Sequence, residues 1–293
     1  MVLCEVLDAS NFFFTWAFIA VLGAASVLSL SGGAFKLFYT NVSYETWRWK
    51  TNPKFPPIET VKLELQKTLS GVVVATFCPA LCLYLAKHGY SKAYCGITPE
   101  HDIKATVIQF FVVWLVSDFY EFFYHWCGHK FSFLWEQHKS HHQFFNPTPF
   151  AVIADDVFDQ VFRALPMLVF PMIAPINLDL MFGTWGTLFY LYGTYIHLGY
   201  EFPLISAHHP ILNGSYHHHL HHAISTKNKP MHTGFFFKLW DQLFDSVHKG
   251  ECFCCECQHK QGKRTEKEFK AISIPDYSPL FTVDFWLTTP KTE

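Results

Sequence analysis

Charge is scarce in this sequence: Asp, Glu, Lys and Arg make up 16% of its 293 residues, against roughly 25% in soluble domains. The shortage argues against an ordinary water-facing surface and points to a membrane. The formal net charge of −2 leaves no basic face for nucleic acid and no acidic excess for a basic partner. No Gly-rich dinucleotide motif and no flavin or haem signature occurs, so any redox chemistry here calls for an external electron donor. The N-terminus lacks the basic segment and small-residue cleavage site of a signal peptide, and its first apolar run is expected to stay as an anchor. Of the nine cysteines, Cys4, Cys78, Cys82, Cys95 and Cys127 are scattered without a recognisable disulfide framework, which reads as a reducing environment. Internal repeats and low-complexity tracts are also missing.

Long apolar runs are present. The stretch FFFTWAFIAVLGAASVLSLSGGAF (12–35) carries no charge, and about 20 such residues suffice to cross roughly 30 Å of hydrocarbon. The runs 69–86 and 103–125 flank the polar turn KHGYSKAYCGITPEHD and predict a transmembrane hairpin. Two further segments, 159–176 and 180–197, predict a second hairpin, with Pro166, Pro171 and Pro175 making its first arm irregular or re-entrant. Within the loop 36–68, IETVKLELQK (58–67) is amphipathic enough to lie along the headgroups, or else is a polar connector. Segment 36–68 holds Lys36, Arg48, Lys50, Lys54, Lys62 and Lys67, while the loop 87–104 has only Lys87, Lys92 and Lys104. Basic residues stay inside, which puts the first of these faces in the cytosol.

Histidine is the outlier, with 15 of the 18 lying between His125 and His248. His125 and His129 share a helical spacing of four with Asp118 and Glu121 just upstream, so all four stack on one helix face. His138, His141 and His142 repeat the i, i+3, i+4 pattern, and His218, His221 and His222 repeat it again. If the chain leaves and returns between His142 and His197, all three boxes and His197 sit at one membrane face. Neutral imidazole is a ligand for zinc, copper and iron. One zinc takes three or four protein ligands, whereas this set is large enough for two metals, and two redox-active irons are the expected occupants. Glu201, four residues after His197, reads as a further ligand or a partner orienting an imidazole; Asp118, Glu121 and His217 read as outer partners. Asp156 reads as a capping or solvated carboxylate, and His208, His209, His232 and His248 fall outside the site for want of comparable spacing.

The pieces HWCGH, HKSHHQFFNPTPFA, IHLGY, LNGSYHHHLHH and FFFKLWDQLFDS, spread over 125–246, resemble the fatty acid hydroxylase and sterol desaturase superfamily of membrane di-iron oxygenases. NPTPFA and LNGS point within it to the sterol C-5 desaturase branch. The resemblance implies that His125, His129, His138, His141, His142, His197, His218, His221 and His222 ligate two non-haem iron ions. It implies desaturation of a delta-7 sterol across C-5 and C-6 with O2, electrons coming from cytochrome b5 and its NADH or NADPH reductase; the rival chemistry on the same scaffold is hydroxylation of a sterol, fatty acyl or alkyl lipid. It also implies a multi-pass protein of the endoplasmic reticulum membrane with its active site on the cytosolic face. The expected fold is all-α and integral to the membrane, with about four to five transmembrane helices and a cytosolic, histidine-rich helical cap holding two metals. Its expected parts are a membrane anchor region (1–102), a catalytic domain (103–250) and a cytosolic C-terminal tail (251–293).

In that tail ECFCCECQH (251–259) places Cys252, Cys254, Cys255 and Cys257 beside His259. Palmitoylation is the favoured functional reading and an unmodified reduced cluster its near rival; zinc binding ranks below both, because no second cysteine pair lies at zinc-finger distance. Glycosylation patterns at Asn41 and Asn213 fall on the face assigned to the cytosol and are expected to be unused. The terminal PKTE has lysine at one of the two dilysine positions, so reticulum residence rests on the resemblance.

Overall fold

The computed structural model describes residue 4 and residues 7–287 of the chain; the PKTE terminus lies outside them. Among the described residues there are helices and isolated β-bridges but no strands. Three helical stretches are long and apolar enough to cross a membrane: Phe12–Thr40, Ile58–Lys87 and Ile103–Lys130.

The first stretch is α1 (Phe12–Phe35), continued by a π-helical turn over Lys36–Thr40. Asn11 caps it, its side chain accepting from Phe14 N at 3.0 Å. Phe14, Phe18, Val21, Leu22 and Leu28 point outward, exposed, as suits a helix facing acyl chains rather than water. After the short α2 (Tyr44–Trp47), the chain returns through α3 (Ile58–Ala75) and α4 (Phe77–Lys87), separated only by Thr76. The amphipathic stretch 58–67 is therefore helical and continuous with the apolar run 69–86, not an irregular connector. Its polar residues Lys62 and Glu64 are buried against the protein, and Thr148 donates to Glu64 through both its backbone N–H and its hydroxyl.

The third stretch, α5 (Ile103–Lys130), starts at Asp102, whose carboxylate accepts from Ala105 N at 2.9 Å. Its 28 residues rise about 42 Å at 1.5 Å each, longer than a hydrocarbon core of about 30 Å. That length leaves room for the last two turns, which bear His125 and His129, to stand beyond such a layer.

An extended residue at Phe131 breaks the helix and leads into α6 (Ser132–His138) and, after a 3-10 turn over Pro149–Ile153, into α7 (Val157–Ala164) and α8 (Pro166–Ile173). The return arm is α9 (Leu178–Gly183), a π-helical turn over Thr184–Phe189 and α10 (Tyr190–His197). Between the arms the turn reaches the far end of the molecule, where Lys92 N donates to Pro171 O and Gly96 N to Asp179 Oδ2, each at 2.8 Å. The second hairpin is therefore present, its first arm stepping from α7 to α8 at Pro166 and ending ahead of Pro175, and it returns His197 to the end that holds α5's histidines.

That far end also carries a disulfide between Cys4 and Cys95. The scattered cysteines had suggested a wholly reduced protein. This pair is the exception, invisible in spacing because 91 residues separate its members. At the other end lie α11 (Ser215–Ile224), α12 (Lys238–Leu243), α13 (Cys255–Lys260), α14 (Glu266–Lys270) and, after a 3-10 turn over Ser278–Phe281, α15 (Val283–Leu287). Tyr277 and Leu280 enter the same core as Phe35, Tyr39, Trp47, Phe150 and Tyr200, so the tail is packed onto the body and closes the cap.

Candidate metal centre

Each histidine box is placed by a helix end. His125 and His129 come from the last turns of α5, His138 ends α6, His141 and His142 follow on the next turn, His197 ends α10, and α11 supplies His218, His221 and His222. These imidazoles gather into two sets, His125, His129, His138, His142 and His221 in one and His141, His197, His218 and His222 in the other, with the ligand atoms of each set all within 4.8 Å. All nine expected side chains thus meet, from segments nearly a hundred residues apart.

Their orientation is fixed from behind. His221 Nδ1 donates to Met231 O at 2.7 Å, His197 Nδ1 to Gly193 O at 2.8 Å, His125 Nδ1 to Thr233 O and His129 Nδ1 to Thr226 O, both at 3.2 Å. His138 Nδ1 lies 2.9 Å from Asp159 Oδ2 and His141 Nδ1 lies 2.9 Å from Asp155 Oδ1. A proton held on Nδ1 leaves Nε2 as a bare lone pair, and it is Nε2 that faces inward. His142 Nε2 stands 3.1 Å from both His138 Nε2 and His221 Nε2, and His218 Nε2 stands 2.8 Å from His197 Nε2.

Around His142 three such nitrogens share at most one hydrogen, and His125 Nε2 and His129 Nε2 are buried with no partner. Lone pairs so arranged repel unless a cation lies among them. Two nitrogens at about 2.1 Å from one ion and at right angles stand about 3 Å apart, as these do. Burial, reinforced by neighbouring imidazoles, drives His142, His218, His221 and His222 well below 6.5 and keeps them neutral, the form that ligates. The donor set therefore fits metal ions, and imidazole suits zinc, copper and iron alike.

Residues 110–246 match the profile of the fatty acid hydroxylase family, a stretch that contains all nine imidazoles. Over that stretch the chain is similar to the fatty acid hydroxylase family. It is similar to a Delta(7)-sterol 5(6)-desaturase of Aspergillus fumigatus (29% identical, covering 76% of this chain and 62% of the relative). A Delta(7)-sterol 5(6)-desaturase of Candida glabrata is 24% identical over 82% of this chain and 62% of its own. A lathosterol oxidase of Rattus norvegicus is 30% identical over 67% of this chain and 64% of its own. The chain thus spans under two thirds of the length of each of these relatives. No solved structure matches it.

Outside the imidazoles the chain builds a ring of charge. Arg163 of α7 reaches Asp155 with Nη1 at 3.0 Å and Glu121 with Nη2 at 3.2 Å, and the Tyr124 hydroxyl donates to Asp159 at 2.6 Å. Burial raises the Asp155 carboxyl, but His141 and Arg163 beside it outweigh this and hold it below its usual range. Asp155, Asp159 and Arg163 escaped the sequence reading, which weighed Asp156 instead. Asp156 has no place in the ring and pairs with Lys67 at 3.5 Å; the signal lay in helix phase, since Asp155, Asp159 and Arg163 follow at intervals of four.

Other expected outer partners are placed elsewhere. Glu201 accepts from Cys255 N at 2.8 Å and so anchors the tail rather than an imidazole. Asp118 accepts from Phe236 N and Trp240 Nε1, both at 2.7 Å, and holds the loop before α12. His217 turns back on its own helix, Nδ1 accepting from Gly214 N at 3.2 Å. Of the four, only Glu121 borders the centre, where it lines a small chamber with His125, His141, His197 and His218. Gly234 also lines it, and a Cβ there would meet Asn213 Nδ2 and Asp241 Oδ2 at 2.6 Å, so only glycine lets this backbone pass.

A second, apolar cavity of about 510 Å³ opens between α1, α3, α7 and the π-helical turn at 184–189. Its wall includes Leu22, Val72, Met167, Trp185 and Gly186, and it shares Glu121, Arg163 and Phe235 with the imidazole chamber. Its size falls in the range that takes a small-molecule ligand.

Proposed function

We propose that this chain is a membrane non-haem di-iron oxidase that introduces the 5,6 double bond into a delta-7 sterol. The observation that carries the reading is the shared wall: an apolar cavity at membrane depth ends on Glu121, Arg163 and Phe235, the residues that also border the imidazole chamber. The names of the relatives point the same way, since those proteins are called sterol desaturases and lathosterol oxidase.

One ion would be held by His125, His129, His138, His142 and His221, the other by His141, His197, His218 and His222. Iron bound there supplies dioxygen activation and the removal of hydrogen from an unactivated C–H bond. The remaining work belongs to the chain. The apolar walls take up the rings of the sterol, the carbonyls and carboxylates behind the imidazoles hold their tautomers, and the tightly filled cap excludes water. The reaction balances with two hydrogens and their electrons from the substrate, two electrons from the donor and two protons from solvent, reducing O2 to two waters.

Cytochrome b5, served by its NADH or NADPH reductase, is the proposed donor, reached from the cytosolic face of the endoplasmic reticulum membrane. Two features support this face. The imidazole end carries the basic segment 36–68, and the Cys4–Cys95 disulfide, which belongs to an oxidising compartment, is at the opposite end. Asn213, whose glycosylation would contradict the orientation, is buried.

Expression in yeast lacking sterol C-5 desaturation tests the function. Restored delta-5,7 sterols, absent with His138→Ala, are the expected result. Unchanged delta-7 sterols would overturn the reading, and a product carrying one more oxygen atom would assign hydroxylation instead.

A further inference from the structure

Away from the imidazole chamber, a second group of metal-type donors converges at the surface of the cap. Cys252, Cys254 and Cys257 precede and enter α13, and His208 reaches them from the loop between α10 and α11, the four donor atoms all lying within 4.8 Å of one another. His208 Nε2 stands 3.5 Å from Cys254 Sγ and 3.4 Å from Cys257 Sγ. Around a tetrahedral zinc with arms of about 2.3 Å to sulfur and about 2.0–2.1 Å to nitrogen, a sulfur and a nitrogen stand about 3.5 Å apart. The distances already match.

Neighbouring candidates are engaged elsewhere. Cys255 Sγ donates to Lys50 O at 3.4 Å, and His259 Nε2 donates to Arg48 O at 3.1 Å. The missing fourth donor that the tail sequence could not supply therefore comes from 44 positions before Cys252, a separation no local motif reveals. Acylation, the other reading of this run, is opposed by the burial of Cys254 and Cys255.

We propose that His208, Cys252, Cys254 and Cys257 form a closed, structural zinc site. Binding displaces three thiol protons to solvent and leaves the site with one net negative charge. Two features receive that charge: Cys257 N donates to Cys254 Sγ at 3.4 Å, and the Lys238 ammonium is tied to Ala207 O and His209 O, on either side of His208, at 2.9 and 2.7 Å. The site staples the tail to the loop after α10. Both lie over α11, where the Tyr216 hydroxyl accepts from Phe253 N at 3.0 Å. Zinc thus clamps the helix that carries His218, His221 and His222.

The test is zinc-edge X-ray absorption and metal analysis of the full chain purified in detergent. The expected result is about one zinc per chain coordinated by three sulfurs and one nitrogen, a signature distinct from any zinc held by imidazoles alone. His208→Asn and Cys257→Ser should each cut the sulfur-bound zinc at least about tenfold. Wild-type chain without sulfur-bound zinc after growth in zinc-supplemented medium would overturn the proposal. So would thioester-linked acyl chains on Cys252 or Cys257. The wild-type spectrum decides the matter even if a variant does not fold.

Discussion

Asp159 Oδ2 lies 2.9 Å from His138 Nδ1, with both side chains buried and the Tyr124 hydroxyl on the other carboxylate oxygen at 2.6 Å. This contact sets which nitrogen of His138 points into the chamber. Removing such an outer partner typically costs 10–100-fold in metal affinity or activity. Asp159→Asn keeps the shape and loses the charge, so metal per chain and product formation should both fall by about that factor. Asp156→Asn, outside the ring, should leave them unchanged. Equal effects of the two substitutions would refute the assignment.

Gly186 lines the apolar cavity, and a Cβ built on it meets nothing within 4 Å. It stands in the π-helical turn Thr184–Phe189, a backbone form that often marks functional sites. Gly186→Leu should therefore fold, fill part of the cavity and lower turnover of a sterol at least about tenfold, with metal content intact. Full activity, assayed by sterol analysis in membranes, would show that substrate does not bind here.

Arg163 bridges Glu121 and Asp155 within the buried ring. Taking away one partner of such a network strands the others, at about 3–5 kcal/mol. Arg163→Met should lower the denaturation midpoint sharply, and adding Glu121→Gln should restore part of the loss because it removes one stranded charge. A double variant no better than the single one would mean that the two residues are not coupled.

Much of this was legible in advance because it repeats at short range. The run 12–35 has the bounds of α1, and the three boxes each follow a helical spacing that brings their imidazoles to one side. Parity of the hairpins carried His197 to the same end. What stayed hidden depends on contacts between distant segments: Cys4 with Cys95, His208 with the tail cysteines, and His138 and His141 with carboxylates on α7 and the residues before it. Glu201 misled for the same reason. Its spacing from His197 fits one more turn of helix, but α10 stops at His197 and Gly199 takes a left-handed φ of 72°, so Glu201 turns away towards Cys255. Lys62 and Glu64 belong to the stretch that reads as a headgroup helix or a polar connector, because charge on a helix usually marks its polar face, whereas here they serve buried contacts to other segments.

Lys50 is fully buried in a cage of Tyr39, Phe55 and Tyr200, its Nζ 4.9, 5.2 and 5.2 Å from the three ring centres and without a hydrogen-bond acceptor. Burial, aided by Arg264, lowers its pKa from 10.5 to about 7, although Cys255 and Glu64 act the other way. Such a drop corresponds to about 5 kcal/mol against the ammonium, more than the roughly 0.5–2 kcal/mol that ring faces return to it. Between pH 7 and 10.5 the unfolded chain holds a proton on Lys50 that the folded chain lacks, so folding is favoured as pH rises. Below pH 7 both states are protonated and this dependence ends. Wild-type chain in detergent should accordingly gain stability relative to Lys50→Met from pH 7 to 9, by up to about 1.4 kcal/mol per pH unit, and run parallel to it at lower pH. Denaturation midpoints that stay parallel across the whole range would mean that the cage holds a charged lysine.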